Sequence, residues 1–152
     1  MFAPASANEV VEQATSLVQP QLGRYRIRLD LELEPQLPAL QADEAQLQQV
    51  LINLFLNAQH AMAETGGVLT VSTRALGRDV VEIVVADNGP GITETDLPHI
   101  FTPFFSRSGG TGLGLALAAQ IVKSHRGSID AASRVGHGAT FTIRLPASEH
   151  HD

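Results

Sequence analysis

The chain has 152 residues, of which 43% are hydrophobic, with a formal net charge of −6 and no cysteine. This length allows one domain with its own core, but not two comfortable ones. The lack of cysteine excludes disulfides, thiolate zinc sites and a cysteine nucleophile. No apolar run approaches the ~20 residues of a membrane span, and the few scattered basic residues argue against a nucleic-acid surface. We therefore expect a single soluble, cytoplasmic domain.

The first 33 residues predict a helix followed by a strand. Residues 1–5 are expected to form a loose leader, and Ser6 with Glu9 has the spacing of a capping box at a helix start. Apolar residues then recur at the helical period, and Pro20 is expected to end the helix. Every second residue of Tyr25–Leu33 is apolar, which predicts a strand with one buried face.

The next part of the chain predicts a long helix and two strands. The helix is expected to begin at Asp43 and to run to about Glu64, with an apolar stripe at helical spacing. Val68–Arg74 and Val80–Ala86 predict a hairpin, because only a short link separates them. The second of these strands is apolar on both faces apart from Glu82, which favours a central position in the sheet.

The remaining sequence predicts a short helical turn that Pro98 stops, a helix from about Thr111 to His125, and strands near Ser128–Ser133 and Ala139–Leu145. Strands joined mainly by hairpins, with helices on one side, indicate an α+β fold. We expect a two-layer α/β sandwich with a mixed, mostly antiparallel sheet and helices on one face.

The segment Asp87-Asn88-Gly89-Pro90-Gly91 directly follows the central strand. Its two glycines can take backbone angles that are closed to other residues, and its proline fixes its own. Such a turn lets a flat ligand approach the main chain, while Asp87 presents a hydrogen-bond acceptor beside it. On this segment alone, a tight surface turn is an equally good explanation.

Two amide side chains lie on one face of the second predicted helix. Asn53 and Asn57 are four residues apart, and His60 and Glu64 continue the same line. The line follows the edge of the apolar stripe, where an amide costs stability unless it is hydrogen-bonded. The amides therefore either cap neighbouring loops or offer an oxygen to a hard cation such as Mg²⁺ bound to phosphates.

Glycines interrupt the start of the third predicted helix, in Gly109-Gly110-Thr111-Gly112-Leu113-Gly114-Leu115. Each glycine there costs up to about 1 kcal/mol, so Gly112 and Gly114 suggest a need for backbone access. Free N–H groups at a helix start bind phosphate, helped by the helix dipole. A flexible loop that runs into a closely packed helix is the alternative.

Together these segments resemble the nucleotide-binding (Bergerat) fold of sensor histidine kinases, in the GHKL superfamily that includes gyrase, the Hsp90 chaperones and MutL. The segments similar to the family's N, G1, F and G2 boxes and to its closing glycine-threonine segment are Asn53–Ala58, Asp87–Ile92, Phe101–Phe105, Gly110–Leu115 and Gly136–Phe141. The resemblance spans roughly residues 7–146, the core of a single domain over 1–152, and looks most like the nitrogen-sensor branch.

The resemblance implies a binding site for ATP and Mg²⁺. Asp87 would accept the adenine amino group, Gly91 would let the ring approach the main chain, and Thr140 would support the base partly through water. Asn57 would be the Mg²⁺ ligand, and Asn53 would face the phosphates one turn earlier.

The catalytic residues that the resemblance implies are Asn53, Asn57 and His60. His60 lies where many relatives place a basic residue for phosphate. ATP-hydrolysing cousins carry a glutamate general base at the position of Asn53. Because an amide cannot accept a proton from water, rapid hydrolysis is not expected, and transfer to a separate acceptor is favoured.

The segment from Phe104 to Thr111 would form a lid over ATP. Many relatives have Thr-Thr-Lys after the paired phenylalanines, whereas this chain has Ser106-Arg107-Ser108, so Arg107 is the candidate for the missing positive charge. Gly112 and Gly114 would place helix N–H groups at the phosphates. The other residues that the resemblance places at the nucleotide are Gly89, Ile92, Phe101, Gly110, Thr111, Leu113 and Leu115.

None of the six histidines lies in the His-Glu/Asp segment that the family phosphorylates. We therefore expect the catalytic domain of a two-component sensor histidine kinase, which transfers the ATP γ-phosphoryl group to a histidine of a separate dimerisation domain. The isolated domain is expected to be a monomer, and the full-length protein a homodimer with a response regulator downstream; membrane anchoring of the intact protein is left open. The alternatives are a nucleotide-binding module without kinase output and an anti-sigma-type serine kinase.

Overall fold

The computed structural model describes residues 1–105 and 113–148. In these ranges the helices are α1 (Ala7–Arg24), α2 (Glu44–Ala61) and α3 (Gly114–Ser124), with a 3₁₀ turn at Leu97–His99. The strands are β1 (Ala3–Ala5), β2 (Ile27–Leu33), β3 (Leu40–Ala42), β4 (Gly67–Leu76), β5 (Val80–Asp87), β6 (Ser128–Ser133) and β7 (Ala139–Pro146). No helix of the described part is both long and apolar enough to cross a membrane.

β5 lies at the centre of a five-stranded sheet with the strand order β2-β4-β5-β7-β6. β2 pairs with β4 in parallel, and the other neighbouring pairs are antiparallel. A parallel pair requires a crossover connection, and α2 lies within the connection between these two strands. The structure confirms the mixed, mostly antiparallel sheet and the central position of the Val80–Asp87 strand.

One hydrophobic core joins the sheet to the helices. Alternate residues of the two middle strands, such as Ile83 and Phe141, are buried in it, together with Leu54 and Phe55 of α2. The period of two in the strands and the helical period in α2 therefore meet at one interface. This interface is the core of the predicted two-layer sandwich.

Two arginines hold Glu82 in place on the other face of the sheet. The three residues lie side by side on neighbouring strands, as Arg74, Glu82 and Arg144. Arg74 Nε donates to Glu82 Oε1 at 2.7 Å, and Arg144 Nε donates to Oε2 at 3.0 Å. The hydrogen bond from Arg74 is the main reason why the pKa of Glu82 lies below its ordinary value, although burial of the carboxyl group opposes this shift. A carboxylate that is only 3% exposed is thus kept ionised.

Several sequence-based boundaries were wrong near the first helix. Residues 1–5 are not a loose leader, because β1 pairs antiparallel with β3. Pro20 lies inside α1, which continues to Arg24. Proline inside a helix costs about 3 kcal/mol or more, and burial of Leu22 in the following turn offsets part of that cost. Tyr25 caps the helix instead of beginning the strand.

Other boundaries differ by a few residues. α2 ends at Ala61 instead of Glu64, because Met62 forms its C-cap and Gly66 N–H closes the following turn onto Met62 O at 2.8 Å. Pro98 lies within the 3₁₀ turn, near its start, where a proline removes no required hydrogen bond. α3 is described from Gly114, and its expected start at Thr111 lies outside the described residues.

Candidate functional site

The candidate site begins at the end of β5. Asp87 is the last residue of this strand and is half-buried. Its Oδ1 accepts a hydrogen bond from Gly89 N–H at 2.9 Å, which fixes the orientation of the carboxylate. The register of β5 with β7 pairs Ala86 with Thr140, so the half-buried threonine lies in the neighbouring strand, opposite the residue that precedes Asp87. The two polar residues that the sequence assigned to the adenine are therefore one register position apart on adjacent strands.

The turn between β6 and β7 packs against this segment at backbone distance. A Cβ atom on Gly138 would lie 1.9 Å from the Asp87 carbonyl oxygen, and one on Gly91 would lie 2.3 Å from the Arg134 carbonyl oxygen. Both glycines have positive φ, +83° and +82° respectively. From the sequence, Gly91 was predicted to let a ligand approach the main chain. The close approach of the Arg134 backbone already requires a glycine at this position.

Two side chains whose roles were not predicted from the sequence, Ser133 and Asn88, hold the segment that follows β5. Ser133 Oγ accepts a hydrogen bond from Ile92 N–H at 2.6 Å and donates to Gly138 O at 2.8 Å. On the other side, Asn88 Oδ1 accepts from Val68 N–H at 2.7 Å, at the start of β4. Side chains therefore anchor the segment that follows β5 to two different parts of the sheet.

Asn53 connects α2 to the start of α3. Its Nδ2 donates to Gly114 O at 2.9 Å, while its Oδ1 accepts from Gln49 Nε2 at 2.7 Å. The first of the two sequence interpretations, an amide that hydrogen-bonds a neighbouring segment, therefore holds for Asn53. A Cβ on Gly114 would lie 3.8 Å from Asn53 Cγ, an ordinary contact, so packing within the protein does not require a glycine there.

Asn57 and His60 continue along α2 as expected. Asn57 is half-buried, and His60 is exposed in the last turn. Within the described residues the Asn57 side chain forms no hydrogen bond, which leaves its amide oxygen available. The same part of the chain contains no cluster of three or more His, Cys, Asp or Glu side chains that could hold a metal ion. A cation at Asn57 would therefore need most of its ligands from elsewhere.

α2 links the two ends of the site. Asn53, near the middle of the helix, donates to the start of α3, and Met62, the C-cap residue, packs against the turn after β5. A Cβ on the buried Gly89 would lie 3.0 Å from Met62 Cγ. Met62 lies nine positions after Asn53, which corresponds to a rise of about 14 Å. One rigid element therefore sets the spacing between the Asp87 turn and the helix start.

The apolar candidate residues differ in how deeply they are buried. Ile92 is buried, and Phe101 is half-buried with its ring edge-to-face against Phe141, the centroids 6.1 Å apart. On the α3 side, Leu115 packs against the core, whereas Leu113 is 42% exposed. The four remaining candidates, Arg107, Gly110, Thr111 and Gly112, lie outside the described residues.

Comparison with known proteins identifies the family. The family described as "Histidine kinase-, DNA gyrase B-, and HSP90-like ATPase" matches residues 42–149. The chain belongs to this ATPase family. The match includes α2, the Asp87 turn and α3, and so covers both ends of the site.

Within this ATPase family, the chain is similar to sensor histidine kinases. It is 46% identical over 142 residues to the sensor histidine kinase ZraS of Klebsiella oxytoca, a match that covers 93% of this chain but only 30% of ZraS. The catalytic domain of histidine kinase ThkA superposes with a TM-score of 0.87 at 29% identity, over 98% of this chain and 99% of that one. Histidine kinase ThkA in complex with response regulator protein TrrA matches with a TM-score of 0.81 at 26% identity, over 97% of this chain and 42% of that one.

These matches confirm the fold and the family that the sequence indicated. The chain has the fold of an ATP-binding catalytic domain of sensor histidine kinases, and it spans about a third or less of the curated kinases it resembles.

Proposed function

We propose that the chain binds ATP with its adenine at Asp87 and its phosphates at the start of α3, and transfers the γ-phosphoryl group to a histidine of a separate dimerisation domain. The P–O bond between the β- and γ-phosphates breaks, the new bond forms to an imidazole nitrogen, and ADP leaves. The domain that spans residues 1–152 would supply the nucleotide site of this reaction.

One observation carries the proposal: α2 contacts both ends of the site. Met62 lies beneath the turn of Asp87, and Asn53 binds the backbone of Gly114 at the helix start. A carboxylate acceptor suits an adenine amino group, and a helix N-terminus suits phosphates. The fixed spacing along α2 favours one ligand that has both groups.

Mg²⁺ fits the donor set on this face of α2. Asn57 offers one amide oxygen, and Mg²⁺ prefers oxygen ligands, keeps several waters and is commonly bound through one or two side chains plus substrate phosphates. Bound there, the ion would neutralise charge on the phosphates. The exposed His60, one turn later, would offer a ring N–H donor to them.

The side chain of Asn53 supports transfer over hydrolysis. An amide cannot act as a general base toward water, and its Nδ2 is already bound to Gly114 O. We therefore propose that Asn53 positions the start of α3 through this hydrogen bond and faces the phosphates. The chain's contribution is positioning and charge neutralisation, as in phosphoryl transfer generally.

The relatives support the choice of partners. ZraS is named as a sensor histidine kinase, and ThkA has been solved together with a response regulator protein. We infer that this chain likewise acts on a phosphoacceptor domain of its own protein, in a homodimer, and that a response regulator receives the phosphoryl group afterwards.

A phosphotransfer assay tests the proposal. The chain is mixed with a dimeric phosphoacceptor domain of a sensor histidine kinase, Mg²⁺ and ATP labelled at the γ-phosphate. We expect acid-labile label on the acceptor domain and none on this chain. An acceptor whose histidine is replaced with alanine is the control. Calorimetry with ATP on the same sample measures binding separately, and binding without any label on the acceptor would refute the kinase proposal in favour of a nucleotide-binding module.

Asp87→Asn tests the base end of the site, by which we mean Asp87 and the turn that follows it. The change exchanges part of an acceptor for a donor, so we expect the affinity for ADP to fall by roughly 2 kcal/mol or more. Unchanged ADP affinity would move the adenine away from Asp87. Thermal unfolding of the variant, measured alongside, distinguishes loss of binding from loss of the fold.

A further inference from the structure

Ser133 joins two segments of the base end through its side chain. It is the last residue of β6 and is half-buried. Its hydroxyl accepts from Ile92 N–H at 2.6 Å and donates to Gly138 O at 2.8 Å, so both hydrogen-bonding roles of the oxygen are used. One small side chain therefore connects the segment after β5 to the turn between β6 and β7.

These two hydrogen bonds reach both segments that hold Asp87 in place, namely the residues that follow it and the turn between β6 and β7. Ile92 follows Gly91, whose positive φ and close approach to Arg134 O leave little freedom. A Cβ on Gly138 would lie 1.9 Å from the carbonyl oxygen of Asp87, so only a glycine fits against that group. A change at the hydroxyl is thus transmitted to both ends of the turn that carries the carboxylate.

The Ile92 N–H group depends on this serine. The residue is 3% exposed, and a buried N–H without a partner costs about 1–3 kcal/mol. An alanine at position 133 would remove the acceptor, so the backbone at Ile92 would have to move to find water or another acceptor. Such a movement would displace Gly91 and, through it, the turn that begins at Asp87.

We propose that Ser133 is a positioning residue for adenine recognition. It would act without contacting the nucleotide. It acts by holding Gly91 and the Asp87 turn in the geometry in which the carboxylate meets the amino group of the base. The inference rests on the proposed function, because it assumes that the adenine binds at Asp87.

A comparison of ADP with inosine diphosphate (IDP) isolates this role. Inosine carries a carbonyl group where adenine carries the amino group, so IDP lacks the hydrogen-bond donor that Asp87 accepts. The ratio of the two affinities then reports how well the carboxylate is placed. Partial unfolding of a variant would weaken both nucleotides equally and leave the ratio unchanged.

Calorimetry on the wild-type chain and four variants provides the test. For Ser133→Ala we expect ADP to bind roughly five- to tenfold more weakly, with IDP changed by less than about twofold. Ser133→Thr keeps the hydroxyl and should restore most of the ratio, while Ser133→Cys, a weak donor and acceptor, should give an intermediate value. Ser128→Ala, at the exposed other end of the same strand, is the matched control and should leave both affinities unchanged.

The Ile92 amide provides a direct signature. In ¹⁵N-labelled protein without nucleotide, Ser133→Ala should shift the Ile92 amide resonance and speed its hydrogen exchange, and Ser128→Ala should do neither. This readout and the Thr and Cys variants keep the test decisive if the alanine variant folds poorly.

Each outcome decides a different statement. Wild-type protein that binds ADP more tightly than IDP, with the same ratio in Ser133→Ala, would refute the positioning role alone. If Ser133→Ala weakens the binding of ADP and IDP by the same factor, Ser133 has only a structural role, and the positioning role is refuted as well. Wild-type protein that binds neither nucleotide, or does not distinguish them, would refute the proposed adenine site and this inference with it.

Discussion

Replacing Gly138 with alanine tests how the base end is built. The added Cβ would lie 1.9 Å from Asp87 O and 2.9 Å from the Cα of Asn88, whereas ordinary contact begins near 3.4 Å. Both neighbours are backbone atoms, so no side chain can rotate away. Either the turn between β6 and β7 or the end of β5 must move, and both carry the candidate site.

Gly136, in the same turn, is the matched control. Its φ is +86°, close to the +83° of Gly138, but a Cβ there would meet no heavy atom within 4 Å. Both substitutions incur the strain of a left-handed alanine, about 1–2 kcal/mol. Only Gly138→Ala adds overpacking, about 1–3 kcal/mol. The difference between the two variants therefore measures the close packing against Asp87.

Urea unfolding and ADP calorimetry measure the two consequences. We expect Gly138→Ala to be less stable than Gly136→Ala by about 1–3 kcal/mol and to lose most of its ADP affinity, while Gly136→Ala keeps it. Equal stabilities of the two variants, or wild-type ADP affinity in Gly138→Ala, would contradict the reasoning that the turn and the carboxylate form one packed unit.

Three further predictions concern other parts of the molecule. Asn57→Ala should abolish the Mg²⁺ dependence of ATP binding in calorimetry with little change in the unfolding free energy, and a variant that keeps the dependence would place the ion elsewhere. Gly114→Ala should raise the unfolding free energy by up to about 1 kcal/mol, because its Cβ fits beside Asn53, yet weaken ADP; unchanged ADP affinity would show that the phosphates do not approach this backbone. Glu82→Gln should cost about 1–3 kcal/mol at pH 7. Because the pKa of Glu82 is lowered in the folded state, this difference should be full above the ordinary carboxyl range and shrink as the pH falls through the folded pKa, and a difference independent of pH would contradict that shift.

The sheet was predictable where one physical signal dominated. The run Val80–Ala86 is apolar on both faces apart from Glu82, and such a run predicts a strand with neighbours on both sides. In β7, Phe141 and Ile143 alternate with threonines, and the burial pattern follows that alternation. These signals are local, so one sequence is enough to detect them.

Non-local pairing was not predictable in the same way. β1 and β3 have three residues each and obtain their stability by pairing with each other across 35 positions, with Ala5 opposite Leu40. Three-residue strands leave almost no periodicity in a sequence. The prediction that Pro20 ends the first helix was wrong for a related reason. Tertiary packing of α1 overrides the local preference of proline to end a helix.

The candidate site was predictable through residue types that are costly elsewhere. Half-buried asparagines on one helix face and glycines at a helix start both require an explanation, and they led to the same place. Ser133 left a weaker signal: it follows Ile129 and Ala131 at the period of two, which places a hydroxyl on the inner side of β6. A small polar residue at a strand end is too common for that signal to stand without the structure.

The two ends of the site depend on different contacts, although α2 touches both. Asp87 is placed by backbone packing with Gly138 and by the Ser133 hydroxyl, and neither contact reaches the start of α3. Gly114, in contrast, is held by Asn53. Damage at the base end should therefore weaken ADP and ATP by the same factor, because both carry the same base. Loss of the Asn53 amide should instead change the ratio of ATP to ADP affinity, because only the phosphates differ, and this separation of effects follows from the contacts themselves.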